Sequence, residues 1–367
     1  MALGLDAREL TPLLVRRVVV AAAETRSFER AEVVIRGVAD LRVLAKTVER
    51  VVKDVGPELA ARRDADPRRG DALATRPEAP PELAVVECDG GRIRTREPGH
   101  GPGVHGGGEG WRETKNAVFI RATRVASADD PQPEPPACFG DHDHVAKIVA
   151  TQALSAAAAG PPAAGPPGGS RPGDGPEADG PAAGEDWRPE RLVRTVLSSM
   201  ADSKGFGRQM RREATRRRFH EAKAKAFLGD GLPWNWTIHE EHFGGFTPIL
   251  DFIHPLSYLH AAARAVHESP ANAWDQYLAW MGGAWRGEVD QVLEELRAWR
   301  AKLGEPAAGA PEADPRKVVA TTIGYLENNR GRMKYPEYRC PGMPVTTAWM
   351  ESLVKKMNYR VKGTELF

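Results

Sequence analysis

Three acidic residues stand where carboxylate chemistry could be assembled. Asp89 closes the apolar run 83–88 and is followed by Gly90 and Gly91; Asp230 closes a second run, 224–229, and is followed by Gly231. Glu351 lies among Met350, Leu353, Val354 and Met357, apolar residues spaced as on one face of a helix. Side chains at strand ends project into the crevice at a sheet's edge, and a helix packed on that sheet could aim a third carboxylate at the other two. Three carboxylates are hard oxygen ligands suited to Mg2+ or Mn2+. Two such ions about 4 Å apart would bind both the attacking and the leaving oxygen of an in-line phosphoryl displacement. A plainer reading stands beside this one, because Asp-Gly is a common turn pair and an isolated helix glutamate is ordinarily solvated.

Asp251 and His254, in ILDFIH, form a second constellation. An Asp three residues ahead of a His could orient the imidazole or support a metal shell, or it could simply cap a strand ahead of a surface histidine. Other possibilities are weaker. His239 and His242 (HEEH) lack the four-residue spacing with which two imidazoles grip zinc from one helix, which argues against a metalloprotease. The run Asp141-His142-Asp143-His144 could hold a metal only loosely. Trp274, Trp280 and Trp285 recur at near-helical spacing and read as core rather than as a base-stacking platform.

The elements that must position these residues can be read from periodicity. Residues 8–64 form a helical unit in which Ser27 is an N-cap and Phe28, Ala31, Val34, Ile35 and Val38 share a face. The pattern breaks at 40–44 and resumes over 45–61, with Val48, Val51, Val52 and Val55 aligned. Two helices with a tight break match a helix-turn-helix, whose second helix enters the major groove. Arg42, Lys46, Thr47, Arg50 and Lys53 would then line its exposed side. An ordinary helical hairpin with a solvated basic face has the same pattern.

Residues 64–82 read as a charged, proline-bearing linker. Strands are predicted at 83–88, 92–96 and 118–125, with a glycine-rich loop at 99–110 that lacks the Gly-Lys-Ser/Thr ending of a phosphate cradle. Order fades from about 127, and residues 153–184, almost wholly Ala, Gly and Pro, cannot bury enough apolar surface to fold. A helix is expected near 144–154. Helices are predicted at 191–200, 207–223, 234–243, 254–266, 273–303 and 315–328, a strand at 247–250, and a last helix at 346–357. The alternation of strands and helices implies a mixed sheet flanked by helices.

Bulk composition bounds the function classes. A length of 367 residues predicts two or three domains, and 41% hydrophobic residues suffice for a core. No apolar stretch reaches the ~20 residues a membrane span needs, and no secretory signal opens the chain. Three dispersed cysteines argue against a disulfide framework and fit a reducing cytosol. The net charge of +1 hides local fields, since basic residues cluster at 208–218 and 353–362 and acidic ones around 129–144 and 174–190. A phosphate-binding face is therefore compatible with a neutral total.

Several stretches, in this order, resemble DDE transposases of bacterial insertion sequences, most nearly those of the Mutator-related group. They are SFERAE with LRVLAKTVERV at the front, ECDGGRIRTR (87–96), WRETKNAVFIRATRV (111–125), AFLGDGLPWNWTI (226–238), ILDFIHPLSYLHAAA (249–263) and RMKYPEYRCPGMPVTTAWMESLVKKMNYRVKGTELF (332–367). The resemblance implies a ribonuclease-H-like α/β mixed sheet core with a helical insertion, preceded by an all-α helix-turn-helix region. The implied division is 1–64 for DNA binding, 65–82 linker, 83–126 and 187–254 core, 127–186 a largely disordered insert, 255–330 the helical insertion and 331–367 the final core helix.

The resemblance makes Asp89, Asp230 and Glu351 the catalytic and metal-binding triad, with Mg2+ or Mn2+ as cofactor, and Asp251 and His254 a supporting pair. Asp251 is the rival for the second triad position. Metal-activated water would cut a phosphodiester at the transposon end, and the freed 3′-hydroxyl would attack target DNA. Arg208, Arg211, Arg212, Lys355, Lys356, Arg360 and Lys362 would hold phosphates, which positions DNA without reading sequence. The partners implied are double-stranded DNA and further copies of the chain, in the cytoplasm at the nucleoid and away from membranes. Members of the group extend further at both ends, so the resemblance also implies a shortened copy. The alternative is a catalytically inactive DNA-binding regulator of the element.

Overall fold

A computed structural model describes residues 10–25, 27–65, 79–94, 111–157 and 189–346. The chain divides into two units, one holding the N-terminal helices (1–78, with 92–113 and 351–367) and one formed by 79–91 and 114–350. Among the described residues no helix is long and apolar enough to cross a membrane.

In the N-terminal unit, α1 (Pro12–Glu24), α2 (Phe28–Ala39) and α3 (Ala45–Ala65) share a core of Val18, Ala31, Ile35, Val43, Val48 and Val51. Ser27 caps α2 by accepting from Arg30 N at 3.2 Å, as its position predicts. Asp40 ends the helix in the left-handed region (φ 52°), its N–H donating to Arg36 O. Glu32 then joins the two helices: its Oε2 accepts from Ala45 N at 2.8 Å, satisfying a donor at the start of α3 that would otherwise lack a partner.

The second unit is built on a five-stranded sheet ordered β3-β2-β1-β4-β5, where β1 is Leu83–Arg94, β2 Trp111–Ala122, β3 Arg191–Ser199, β4 Ala224–Gly229 and β5 Thr247–Leu250. β4 runs parallel to both β1 and β5, while β2 and β3 are antiparallel. Leu83 to Val86, Ala226 to Leu228, and Ile249 with Leu250 are fully buried, as expected of strands covered on both faces. Around the sheet lie α4 (His142–Ala157), α5 (Ser203–Arg216), α6 (Pro233–His242) and α7 (Ile253–Val266). They are followed by α8 (Pro270–Trp285), α9 (Val289–Leu303), α10 (Pro315–Asn329) and α11 (Tyr335–Arg339).

Three expectations are corrected. The strands predicted at 83–88 and 92–96 are one strand, so Asp89 does not end β1; it stands where pairing with β4 stops, while the strand continues beside β2. Gly91 allows that continuation, because a Cβ there would lie 2.8 Å from Asn116 Nδ2 and 3.0 Å from Thr114 Oγ1. Residues 191–199 are the edge strand β3, not a helix. Val193, Thr195 and Val196 are β-branched, and β2 offers a free edge to pair with, which outweighs a pattern short enough to suit either period.

The insert expected to lose order from 127 is packed well beyond that point. Arg339 binds Asp130 through two bonds, Trp285 Nε1 donates to Gln132 O at 2.9 Å, and Tyr277 donates to Phe139 O at 3.1 Å. α4 continues through Ala157, into the Ala-rich stretch, alanine being the strongest helix former. Residues 158–188 and the final helix predicted at 346–357 lie outside the described residues, save Thr346 itself. Trp280 and Trp285 are core residues, as expected, and half-buried Trp274 stacks on His142 at 3.5 Å.

Candidate active site

The register of the parallel strands decides the geometry of the site. Cys88 on β1 pairs with Gly229 on β4, and Gly229 pairs with Leu250 on β5. The next residue on each strand is an aspartate: Asp89, Asp230 and Asp251. Three carboxylates therefore leave the sheet at one level, side by side, and the Asp251 N–H still donates to Gly229 O at 3.0 Å.

Their environments differ. Asp89 is half-buried, and its carboxyl is pushed up to about 7, by burial first and then by the neighbouring Asp230 charge, with Asp251 adding to it and His254 opposing. Asp230 is also raised by burial, against the pull of His254, Leu232 N–H and Asn235. Its Oδ1 accepts from Leu232 N at 2.9 Å and from Asn235 Nδ2. Asp251 is 1% exposed; its Oδ1 accepts from Ile253 N at 3.3 Å, and its Oδ2 lies 3.5 Å from His254 Nε2. Asp251 and His254 thus lie side by side, and the histidine's field reaches Asp89 and Asp230.

Side chains distant in sequence complete the surroundings. Asn235 on the first turn of α6 is fully buried and accepts from Cys88 Sγ at 3.3 Å. Tyr325 on α10 donates to Asp230 O at 2.9 Å and stacks on Tyr258 of α7, ring centroids 3.9 Å apart. Burial and the Asp230 charge raise the Tyr258 phenol. Sequence reasoning missed Asn235, Tyr258 and Tyr325. For Asn235 a signal existed, since Pro233 predicts a helix start that puts it on the first turn; for the tyrosines there was none.

Among the described residues no three His, Cys, Asp or Glu side chains form a set able to hold a metal ion by themselves. Glu351, the expected third member of the triad, lies outside the described residues, as do Lys355, Lys356, Arg360 and Lys362. The Asp141–His144 run opens α4, where Asp141 Oδ1 accepts from His144 N at 2.7 Å, and His239 Nε2 is engaged by Phe246 O at 2.8 Å.

The expected DNA-facing residues divide. On the N-terminal unit Arg42, Lys46, Arg50 and Lys53 are exposed, while Thr47 is half-buried. Glu49 lies among them, its carboxylate accepting from Lys46 Nζ at 2.7 Å and Lys53 Nζ at 2.5 Å. Those two ammonium groups hold the Glu49 carboxyl down to about 2. On α5, Arg208 and Arg211 are exposed and Arg212 is half-buried. The rest of that basic run is engaged internally: Arg216 and Arg217 pair with Glu213, and Arg218 with Glu221. No protein-family model matches the chain, and no curated protein matches it.

Proposed function

We propose that the chain is a DDE transposase of the bacterial insertion-sequence type with a ribonuclease-H-like core. It would cleave DNA at its element's ends and join the freed 3′-hydroxyl to target DNA. The observation that carries this reading is the register match: Asp89 and Asp230 follow paired residues on neighbouring parallel strands, and the Asp230 charge adds to the burial that raises the Asp89 carboxyl. The resemblance expects its first aspartate at the end of the first core strand and its second after the fourth; Asp230 directly follows β4, while Asp89 lies within β1 at the point where pairing with β4 stops. Asp230 fits the second role better than Asp251. It is the less buried of the two and the stronger charge at Asp89, whereas Asp251 is turned to Ile253 and His254.

The donor set fits a divalent ion of the Mg2+ or Mn2+ kind. Two half-buried carboxylates that repel one another are a poor arrangement for a bare protein and a good one for a hard cation. Such ions, when bound, lower the pKa of water and stabilise the attacking and leaving oxygens. Asp89 and Asp230, with Glu351 as the expected third ligand, would hold them. Asp251 orients His254 beside the pair, Asn235 and Leu232 N–H fix Asp230, and exposed Arg208 and Arg211 would grip phosphates. The three-helix unit, with Glu32 capping α3, would bind duplex DNA through Arg42, Lys46, Arg50 and Lys53. Action on paired ends would call for several copies of the chain.

The test is incubation of the full chain with Mn2+ and a plasmid carrying the DNA that flanks its gene on both sides. Cleavage followed by joining is expected, lost in Asp89→Asn and Asp230→Asn with circular dichroism unchanged. Cleavage without joining would make the protein a metal nuclease. Binding without cleavage by the unaltered chain would make it a DNA-binding regulator and overturn the catalytic reading.

A further inference from the structure

Asn235 spans the two strands that carry the aspartate pair. Its Oδ1 accepts from Cys88 Sγ at 3.3 Å on β1, and its Nδ2 donates to Asp230 Oδ1 just beyond β4. The amide is fully buried, and Gly229 makes room for it: a Cβ at 229 would lie 3.1 Å from Nδ2 and 3.2 Å from the Asn235 Cβ. The thiol fixes the sense of the amide, since a thiol that donates takes Oδ1 and turns Nδ2 toward the carboxylate. Leu232 N donates to the same Asp230 oxygen at 2.9 Å, so both donors fall on Oδ1, and among the described residues Oδ2 accepts no hydrogen bond. A carboxylate pinned through one oxygen presents the other at a fixed angle.

We infer that Asn235, oriented by Cys88, is the positioning residue that aims the Asp230 carboxylate at a divalent cation. The inference rests on the metal-dependent reading above. The groups that orient a metal's ligands act through hydrogen bonds of this kind, and removing one lowers affinity about 10- to 100-fold.

Mn2+ titrated calorimetrically into the full chain without DNA, with thermal unfolding followed in parallel, tests it. Asn235→Leu keeps the side-chain volume and removes both polar ends; Asn235→Asp keeps the shape and sets an acceptor against the carboxylate. Both are expected to weaken Mn2+ binding by about 10-fold or more. Cys88→Ala should weaken it less, Cys88→Ser should restore it because a hydroxyl also donates, and Cys88→Ala should add nothing in the Asn235→Leu chain. Should Asn235→Leu fail to fold, the Cys88 pair carries the same comparison. Unchanged Mn2+ affinity in a folded Asn235→Leu chain, or equal loss in Cys88→Ala and Cys88→Ser, overturns the inference while leaving the metal reading in place. Equal binding by the unaltered chain and Asp230→Asn overturns both.

Discussion

The hydroxyl of Tyr325 donates to the backbone carbonyl of Asp230 at 2.9 Å, tying α10 to the turn that carries one of the paired carboxylates. The next residue, Gly231, has φ +95°, and a Cβ there would meet the Tyr325 ring and hydroxyl at 3.0 Å and Asn329 Nδ2 at 3.1 Å. Gly231→Ala therefore suffers both backbone strain and crowding, together about 1–3 kcal/mol. Denaturant unfolding should show that loss, and Mn2+ titration should show weaker binding, because the displaced turn carries Asp230 with it. Tyr325→Phe, which removes only the hydroxyl, should cost about 1 kcal/mol. A Gly231→Ala chain as stable as the unaltered one would contradict the described turn.

The Asp89 carboxyl is raised to about 7 from an ordinary 3.8. The folded chain then holds this proton more tightly than the unfolded chain does. Its contribution to stability is whole below about pH 4 and is lost as pH rises to about 7. Asp89→Asn should remove that part of the pH dependence and leave the metal-free protein more stable above pH 7, by at least about 1 kcal/mol. Unfolding free energies of the two chains between pH 5 and pH 8 on the order of these values measure the difference; parallel curves would show that Asp89 titrates normally.

Arg339 is fully buried, donating Nε to Asp130 Oδ1 at 2.8 Å and Nη2 to Asp130 Oδ2 at 2.5 Å, with its guanidinium 4.2 Å from the Trp285 ring centroid. The pairing holds the Asp130 carboxyl below its usual range. Asp130→Ala leaves a buried guanidinium without its carboxylate and should cost about 3–5 kcal/mol in chemical denaturation. Arg339→Met, which removes the charge and retains bulk, should cost less.

On α3, Glu49 occupies Lys46 and Lys53 through ion pairs in which both lysine side chains are about two-thirds exposed (68% and 69%). These pairs add little stability, but phosphates would have to displace the carboxylate to reach the lysines. Glu49→Gln should bind a random-sequence duplex several-fold more tightly at low salt, with a steeper fall of affinity against salt concentration. Fluorescence anisotropy over a salt series reads both; unchanged binding would remove α3 from the DNA-contacting surface.

What the sequence determined by itself is local. The cap at Ser27, the break at 40–44, β5 at Thr247–Leu250 and the helix that begins near His254 were all legible, because each depends on the conformational preferences of a few neighbouring residues. Asp89 and Asp230 stood out for the same reason, as polar ends of apolar runs. Only tertiary structure decided that β1 and β4 are neighbours in parallel register, which sets Asp89, Asp230 and Asp251 at one level. It alone made 191–199 a strand, by offering it the edge of β2. It also joined Asn235 to Cys88, 147 residues apart in sequence, and Tyr325 to Asp230, 95 residues apart. Strand pairing and buried hydrogen bonds satisfy groups across that separation, and no short-range periodicity encodes which distant partner will meet them.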